Sequence, residues 1–356
     1  MEFKEFVGLL TQVIERGGSD VYIVPGSHIT AKINGMLVPL SEEKLTIQSC
    51  EQTISEIYKQ SNNRDMSTLY THGDDDFSLS LSQLGRFRCN IYKQRGSLAA
   101  VLRAVPFGLP DAKQYHIPDV VLNMYSIKRG MVLVTGPGGS GKTTTLACMI
   151  DRINRERSGH IITLEDPIEY IHPHKQCIVS QREIVNDTET FAKALRAALR
   201  QVPDVILLGE MRDYETIQTA LTAAETGHLL LSTLHTVGAA KTIDRIVDVF
   251  PANQQQQVRI QLSMVLQAVV SQQLIPTVDG GLAPAFEIMV TNSAIQNIIR
   301  EGKGHQLDNA IYAGAAQGMR TMDGELLRLY KEKRISKENT LLYAINPDTL
   351  ERKLAM

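Results

Sequence analysis

Apolar positions change period several times over the first third of the chain. Phe3, Phe6, Val7, Leu10, Val13 and Ile14 recur at helical spacing, and Gly17-Gly18 closes that run. VYIVPGSHITAKINGMLVPL then alternates in short pieces, broken by Pro25, Gly26 and Asn34-Gly35. Asn-Gly between two alternating runs predicts a hairpin, because both residues accept the left-handed backbone the turn needs. A second helical period covers about 46–60. FSLSLS, GRFRCNIYKQRG and SLAAVLRAV alternate as antiparallel strands. Residues 1–105 are expected to form a small α+β domain.

VPFGLPDAKQYHIP, with Pro106, Pro110 and Pro118, reads as a linker over 106–117. Beyond it MVLVTG, HIITLED, DVILLGE and HLLLSTLH are short and almost wholly apolar, with helical patterns between them. Buried strands alternating with helices predict a largely parallel sheet covered on both faces, here an α/β core over 118–283. Helical patterns dominate 284–356.

The length, 356 residues, suits two domains. Lys plus Arg number 37 against 39 Asp plus Glu, a net charge of -2, so nothing in the composition argues for direct nucleic-acid binding. Cys50, Cys89, Cys148 and Cys177 form no Cys-x-x-Cys pair, which fits scattered thiols in a reducing compartment. There is no apolar run long enough for a membrane span, and the N-terminus carries acids where a secretion signal needs a basic start. A cytoplasmic location is expected.

GPGGSGKT, Gly136 to Thr143, follows a strand and opens a helix, the context in which this pattern binds phosphate. Gly136, Gly138, Gly139 and Gly141 are expected to let backbone N–H groups turn inward with no Cβ in the way. Pro137, Ser140 and Thr144 belong to the same nucleotide-binding stretch, and the helix N-terminus adds its positive end. Lys142 can reach the β- and γ-phosphates, and Thr143 can hold Mg²⁺. DVILLGE delivers Glu210 at a strand end, where it is placed to polarise an attacking water and to meet Mg²⁺ through water. HIITLED supplies Glu165 and Asp166, followed by Glu169, as further acids around metal or nucleophile. HLLLSTLHT carries His228 at its start, facing a neighbouring element, and His235 at its end, where it can sense the γ-phosphate. His172 and His174 flank Pro173 in what reads as a plain loop.

GPGGSGKT, ITLEDPIEYIH, DVILLGEMRD and TGHLLLSTLHT, in this order, resemble the secretion-superfamily ATPases of type II secretion and type IV pili. They correspond to the Walker A, Asp box, Walker B and His box signatures. IVSQREI, FAKALRAALRQVPD, ALTAAETGH, KTIDRIVDVFP and SAIQNIIREG bring the chain closest to the PilT-like pilus-retraction ATPases, with Gln296 where that family usually has Arg. Further departures are Val21-Tyr22 after Ser19-Asp20 in place of Leu-His, Gly138 in place of Thr or Ala, and Thr143 in place of Ser.

The resemblance implies a PAS-like N-terminal domain, a RecA-like P-loop ATPase domain with C-terminal helices, and a homohexamer. It implies ATP/ADP and Mg²⁺ as ligands and pilus retraction against an inner-membrane platform protein, with peripheral membrane association through that partner. It assigns catalysis to Glu210, the Asp box to Glu165, Asp166 and Glu169, and the His box to His228 and His235. It also supplies arginines from the N-terminal domain. Among Arg86, Arg88, Arg95 and Arg103, Arg88 and Arg103 match the pattern best. Assembly ATPases of the superfamily carry an extra N-terminal domain and a tetracysteine zinc site. Neither is present in this sequence, which favours retraction. The alternatives are an accessory retraction motor, a related secretion ATPase or, in a different class, a nucleic-acid translocase.

Overall fold

The computed structural model describes residues 3–33, 35–81, 84–105 and 108–355. Asn34, Ser82 and Pro106, used above in a hairpin, a strand and a linker, lie outside them. The chain divides into two compact units, Met1–Gly108 and Leu109–Met356.

In the first unit, α1 (Phe3–Glu15) leads into β1 (Gly18–Ile23), β2 (Thr30–Ile33) and β3 (Met36–Pro39). Two helices follow, α2 (Ile47–Gln60) and α3 (Ser67–His72), then β4 (Asp74–Leu81), β5 (Gly85–Gln94) and β6 (Ser97–Ala104). The strands form one antiparallel sheet in the order β3-β2-β1-β6-β5-β4. Thr46 starts α2 with a reciprocal capping box to Ser49, a device that contributes about 1 kcal/mol. Phe6, Leu10 and Val13 of α1 and Ile54, Ile57 and Tyr58 of α2 meet Phe87, Cys89 and Ile91 of β5 in one core. Because side chains alternate along a strand, Arg88 emerges on the opposite, exposed face.

The second unit begins with α4 (Asp119–Leu122), β7 (Gly130–Thr135), α5 (Lys142–Glu156), β8 (Gly159–Glu165) and β9 (Cys177–Glu183). It continues with α6 (Phe191–Ala198), β10 (Val205–Leu208), α7 (Tyr214–Glu225), β11 (Leu229–Leu234), α8 (Ala239–Asp248) and α9 (Ala252–Val265). Its sheet has seven strands in the order β13-β12-β7-β11-β10-β8-β9, where β12 is Leu266–Pro276 and β13 is Leu282–Val290. All neighbours run parallel except β12 and β13. Alternate residues of the central strands feed two cores. Val132, Val134, Leu229 and Leu231 face α5, while Met131, Leu133, Leu230 and Leu234 face α6 to α9. That two-sided burial explains why the sequence shows unbroken apolar runs there.

Three strands differ from the sequence expectation. β9 lies on the sheet edge and buries fully only Cys177, Val179 and Glu183, so it lacks the long apolar run that marks its neighbours. β12 follows α9 with no intervening loop. β13 runs past residue 284, so the helical C-terminal part starts at α10 (Ser293–Arg300), followed by α11 (Leu307–Ala313), α12 (Met322–Lys331), α13 (Lys337–Leu342) and α14 (Pro347–Leu354). Met322, Leu326 and Leu329 of α12 pack with Ile275 and Ala285 at the far end of this hairpin. Among the described residues no helix is long and apolar enough to cross a membrane.

Candidate active site

β7 ends at Thr135, and the chain turns through Gly136–Gly141 into α5. Gly136 has φ +142°, and a Cβ there would stand 2.1 Å from the Gln272 carbonyl oxygen of β12. Gly141, the N-cap of α5, has φ +87°, and its Cβ would fall 2.9 Å from Gln272 Nε2. Gly139 is also left-handed. These three positions need glycine. Gly138 does not share the requirement: it meets nothing within 4 Å and has no left-handed φ. Ser140 is buried in the turn. No side chain caps α5, so its first N–H groups point at the loop, the arrangement that binds anions. Lys142 is buried, and its Nζ donates to Gly136 O at 2.9 Å and Pro137 O at 2.8 Å. Burial lowers its pKa, opposed by the charges of Glu210 and Glu169. Thr144 meets the Tyr170 hydroxyl at 3.1 Å, tying α5 to the loop after β8.

A cavity of about 280 Å³ opens above this turn. Gly138, Gly139, Lys142 and Thr143 form one wall, Glu165, Asp166, Glu169, Tyr170 and His172 a second, and Glu210, Arg212 and His235 a third. Parallel strands deliver these groups to one edge, because β7, β8, β10 and β11 all end there. Glu210 lies just beyond β10. Its Oε2 forms an ion pair with Arg212 Nε at 2.6 Å and lies 3.6 Å from His235 Nε2.

Glu165 is buried at the end of β8, where its Oε1 accepts from Thr163 Oγ1 at 2.6 Å and Gln181 Nε2 at 3.2 Å. Burial pushes its carboxyl up to about 7, and those two bonds resist the rise. Gln181 also donates to Tyr170 O at 2.9 Å and accepts from the His172 N–H at 2.7 Å. Two residues on, Glu183 accepts from the Ile168 N–H at 3.0 Å. β9 therefore clamps the loop that carries Asp166 and Glu169.

His228 stands at the strand start as its sequence position implied, but outside the catalytic group in which the resemblance placed it, and His172 differs from its plain-loop reading. His228 precedes β11 at the opposite edge of the sheet, where its carbonyl accepts from the Gly130 N–H at the start of β7. Its Nδ1 lies 3.0 Å from Ala223 O. Six strand residues separate it from His235, roughly 20 Å of rise, so the two do not share a site within this chain. His172, read as a plain loop residue, is instead buried in the cavity wall, and burial lowers its pKa to about 4. Arg88 and Arg103 belong to the first unit. They face each other across β5 and β6, and Arg103 Nε pairs with Asp20 Oδ1 at 2.8 Å.

Gln181, Arg212 and His172 escaped the sequence reading as individual site residues. Arg212 stands two residues from Glu210, a signal that was there to use. Gln181 becomes visible only when β9 pairs beside β8, which sets it opposite Thr163.

The donor set is mainly oxygen, the Thr143 hydroxyl with the carboxyls of Glu165, Asp166, Glu169 and Glu210. Such donors fit Mg²⁺. Among the described residues no group of three or more His, Cys, Asp or Glu forms a metal cage, and a Mg²⁺ shared with phosphate oxygens requires none. Thr143, and Glu210 through water, would hold it.

Residues 6–338 match the model of the family described as Type II/IV secretion system protein. The chain is 44% identical over 331 residues to the type IV pilus retractation ATPase PilT of Pseudomonas aeruginosa, covering 93% of this chain and 95% of the relative. It is 38% identical over 347 residues to the type IV pilus ATPase PilU of the same organism, covering 97% and 90%. A crystal structure of the pilus retraction motor PilT with bound ADP superposes with a TM-score of 0.89 at 45% identity, covering 99% of both chains. Four motif segments that meet around one cavity and agreement along nearly the whole length lead to one assignment: the chain belongs to the Type II/IV secretion system protein family.

Proposed function

We propose that this chain is an ATP-hydrolysing motor for type IV pilus retraction. It works as a homohexamer on a pilus platform protein at the inner face of the cytoplasmic membrane. The observation that carries the reading is the meeting of Glu210, Lys142 and His235 in one cavity over the phosphate loop. Lys142 and the N–H groups opening α5 bind the β- and γ-phosphates. Glu210 orients water for in-line attack, and His235 beside it lies where it can sense the γ-phosphate. Glu165, Asp166 and Glu169 form the acidic wall facing them. Mg²⁺, when bound, neutralises charge on the phosphate oxygens. Arg88 and Arg103 add a further cationic contribution to phosphoryl transfer.

In this reading residues 1–105 are the PAS-like domain, 106–117 the linker, and the RecA-like core drawn as 118–283 takes in β13 to Val290 before the C-terminal helices. Similarity to the PilT of P. aeruginosa and to the ADP-bound PilT structure supports both the nucleotide and the retraction role. Similarity to PilU over 97% of the chain favours a second reading, an accessory motor of the same machine.

The test is deletion of the gene in its host, complemented with the wild-type and Glu210→Gln alleles. Retraction predicts more surface pili by electron microscopy and lost surface motility, restored by wild type alone. The purified Glu210→Gln protein keeps ATP binding and loses most turnover. Bald cells would overturn the retraction role. An unchanged pilus count would favour the accessory reading, and near-normal hydrolysis by Glu210→Gln would remove the site assignment.

A further inference from the structure

Glu287 lies in the middle of β13 and is almost completely buried. Its Oε1 accepts from the Ala239 N–H at 2.7 Å, and its Oε2 accepts from the Met322 N–H at 3.2 Å. Ala239 and Met322 are the first residues of α8 and α12, each ten residues long. One carboxylate thus receives the N-termini of two helices from different parts of the chain. No side chain of its own caps α8, so Glu287 supplies that function from the sheet.

The two helices have different neighbours. α8 begins four residues after His235. The loop between them is further held by Ser271 Oγ, which accepts from the Gly238 N–H at 2.9 Å, and by a 2.7 Å contact between the Thr236 and Thr242 hydroxyls. α12 opens the last helical segment, and its entry is fixed to β13 by paired bonds between Ile288 and Arg320. A Cβ on Gly238 would stand 3.3 Å from Ile345 Cδ1, so that segment also abuts the His235 loop.

A buried carboxylate is a costly way to join two helices, since an apolar contact of the same volume carries no desolvation cost. What it adds is direction: two N–H vectors are fixed on one group. We infer that Glu287 is a positioning residue for ATP hydrolysis, setting the His235 loop beside Glu210 and tying it to the C-terminal helices. This rests on the Glu210–His235 reading of the site.

The test uses the full chain with Glu287→Gln, which keeps shape and one acceptor oxygen but turns an amide toward the second N–H. Single-turnover hydrolysis with enzyme in excess is measured beside ADP binding and thermal unfolding. The expected result is at least a tenfold loss in the hydrolysis rate with ADP affinity within twofold of wild type. In a His235→Gln background the same change should add less than twofold, because its effect runs through that histidine. A rate within twofold of wild type in folded Glu287→Gln overturns the inference. So does a loss that multiplies in full with that of His235→Gln. If Glu287→Gln fails to fold, Ser271→Ala removes the other acceptor of the loop. A smaller loss, also absent in the His235→Gln background, is then expected, and independent losses again overturn the idea. Glu210→Gln is the control. Normal turnover there defeats the site reading, whereas a dead Glu210→Gln beside a normal Glu287→Gln defeats only the present inference.

Discussion

Glu165 is an acidic residue buried in the wall of the nucleotide cavity. Its carboxyl is raised from an ordinary 4.5 to about 7 by burial, so the folded chain takes up this proton more readily than the unfolded chain. Folding is therefore favoured by this group at low pH, and the contribution is lost as pH rises from about 4.5 through 7. Glu165→Gln removes that dependence. The unfolding free energy of wild type should fall relative to the variant between pH 5 and 8, by a total of about 3 kcal/mol, read from denaturant midpoints. Parallel curves would show that Glu165 is ionised throughout. Thr163 and Gln181 act in the other direction, because both donate to the charged form.

Element packing makes Gln181 consequential. β9 is an edge strand, yet its in-register pairing with β8 sets Gln181 beside Thr163 and Glu183 beside Glu165. From there Gln181 reaches Glu165 and two backbone groups of the following loop at once. Gln181→Ala should release Glu165 and the loop together. A hydrogen bond to a charged group is worth about 1.5–3 kcal/mol, so kcat should drop roughly ten- to a hundredfold. ADP affinity should hold, because the phosphate loop is built on β7, α5 and Gln272 of β12. Steady-state kinetics with an ADP titration checks this. A loss of ADP binding equal to the loss of kcat would mean general collapse of the unit instead.

For the whole molecule the predictions concern turnover and assembly, and Arg88 bears on the first. It is exposed on β5 opposite Arg103, and like charges directly across a sheet are unfavourable. Arg103 is compensated by Asp20. Arg88→Ala should leave stability within about 0.5 kcal/mol, as surface changes usually do. The proposed role in phosphoryl transfer predicts at least a tenfold drop in turnover all the same. Mass photometry with nucleotide should find six chains of 39.5 kDa together for both proteins. Unchanged turnover in Arg88→Ala would remove that arginine from the mechanism, and a single-chain mass would remove the ring.

Parts of this picture were legible in order along the chain because their physics is local. The turn from β7 into α5 is set by consecutive residues, so Gly136, Gly141, Lys142 and Thr143 could be read directly. Glu210 could be read because an apolar run ending in an acid must deliver that acid at a strand end. The antiparallel strands of the first unit showed their alternation for the same reason. Tertiary structure decided the rest. The strand pattern already put His228 and His235 at opposite ends of β11, and the structure keeps them there, apart from the shared catalytic role that the family resemblance implied. The edge position of β9 hid both a strand and Gln181, since an edge is solvated on one side and lacks an apolar run. β13 brings Glu287 to two helix starts 48 residues before it and 35 after it. Contacts of that span depend on sheet order and register, which no local pattern of residues encodes.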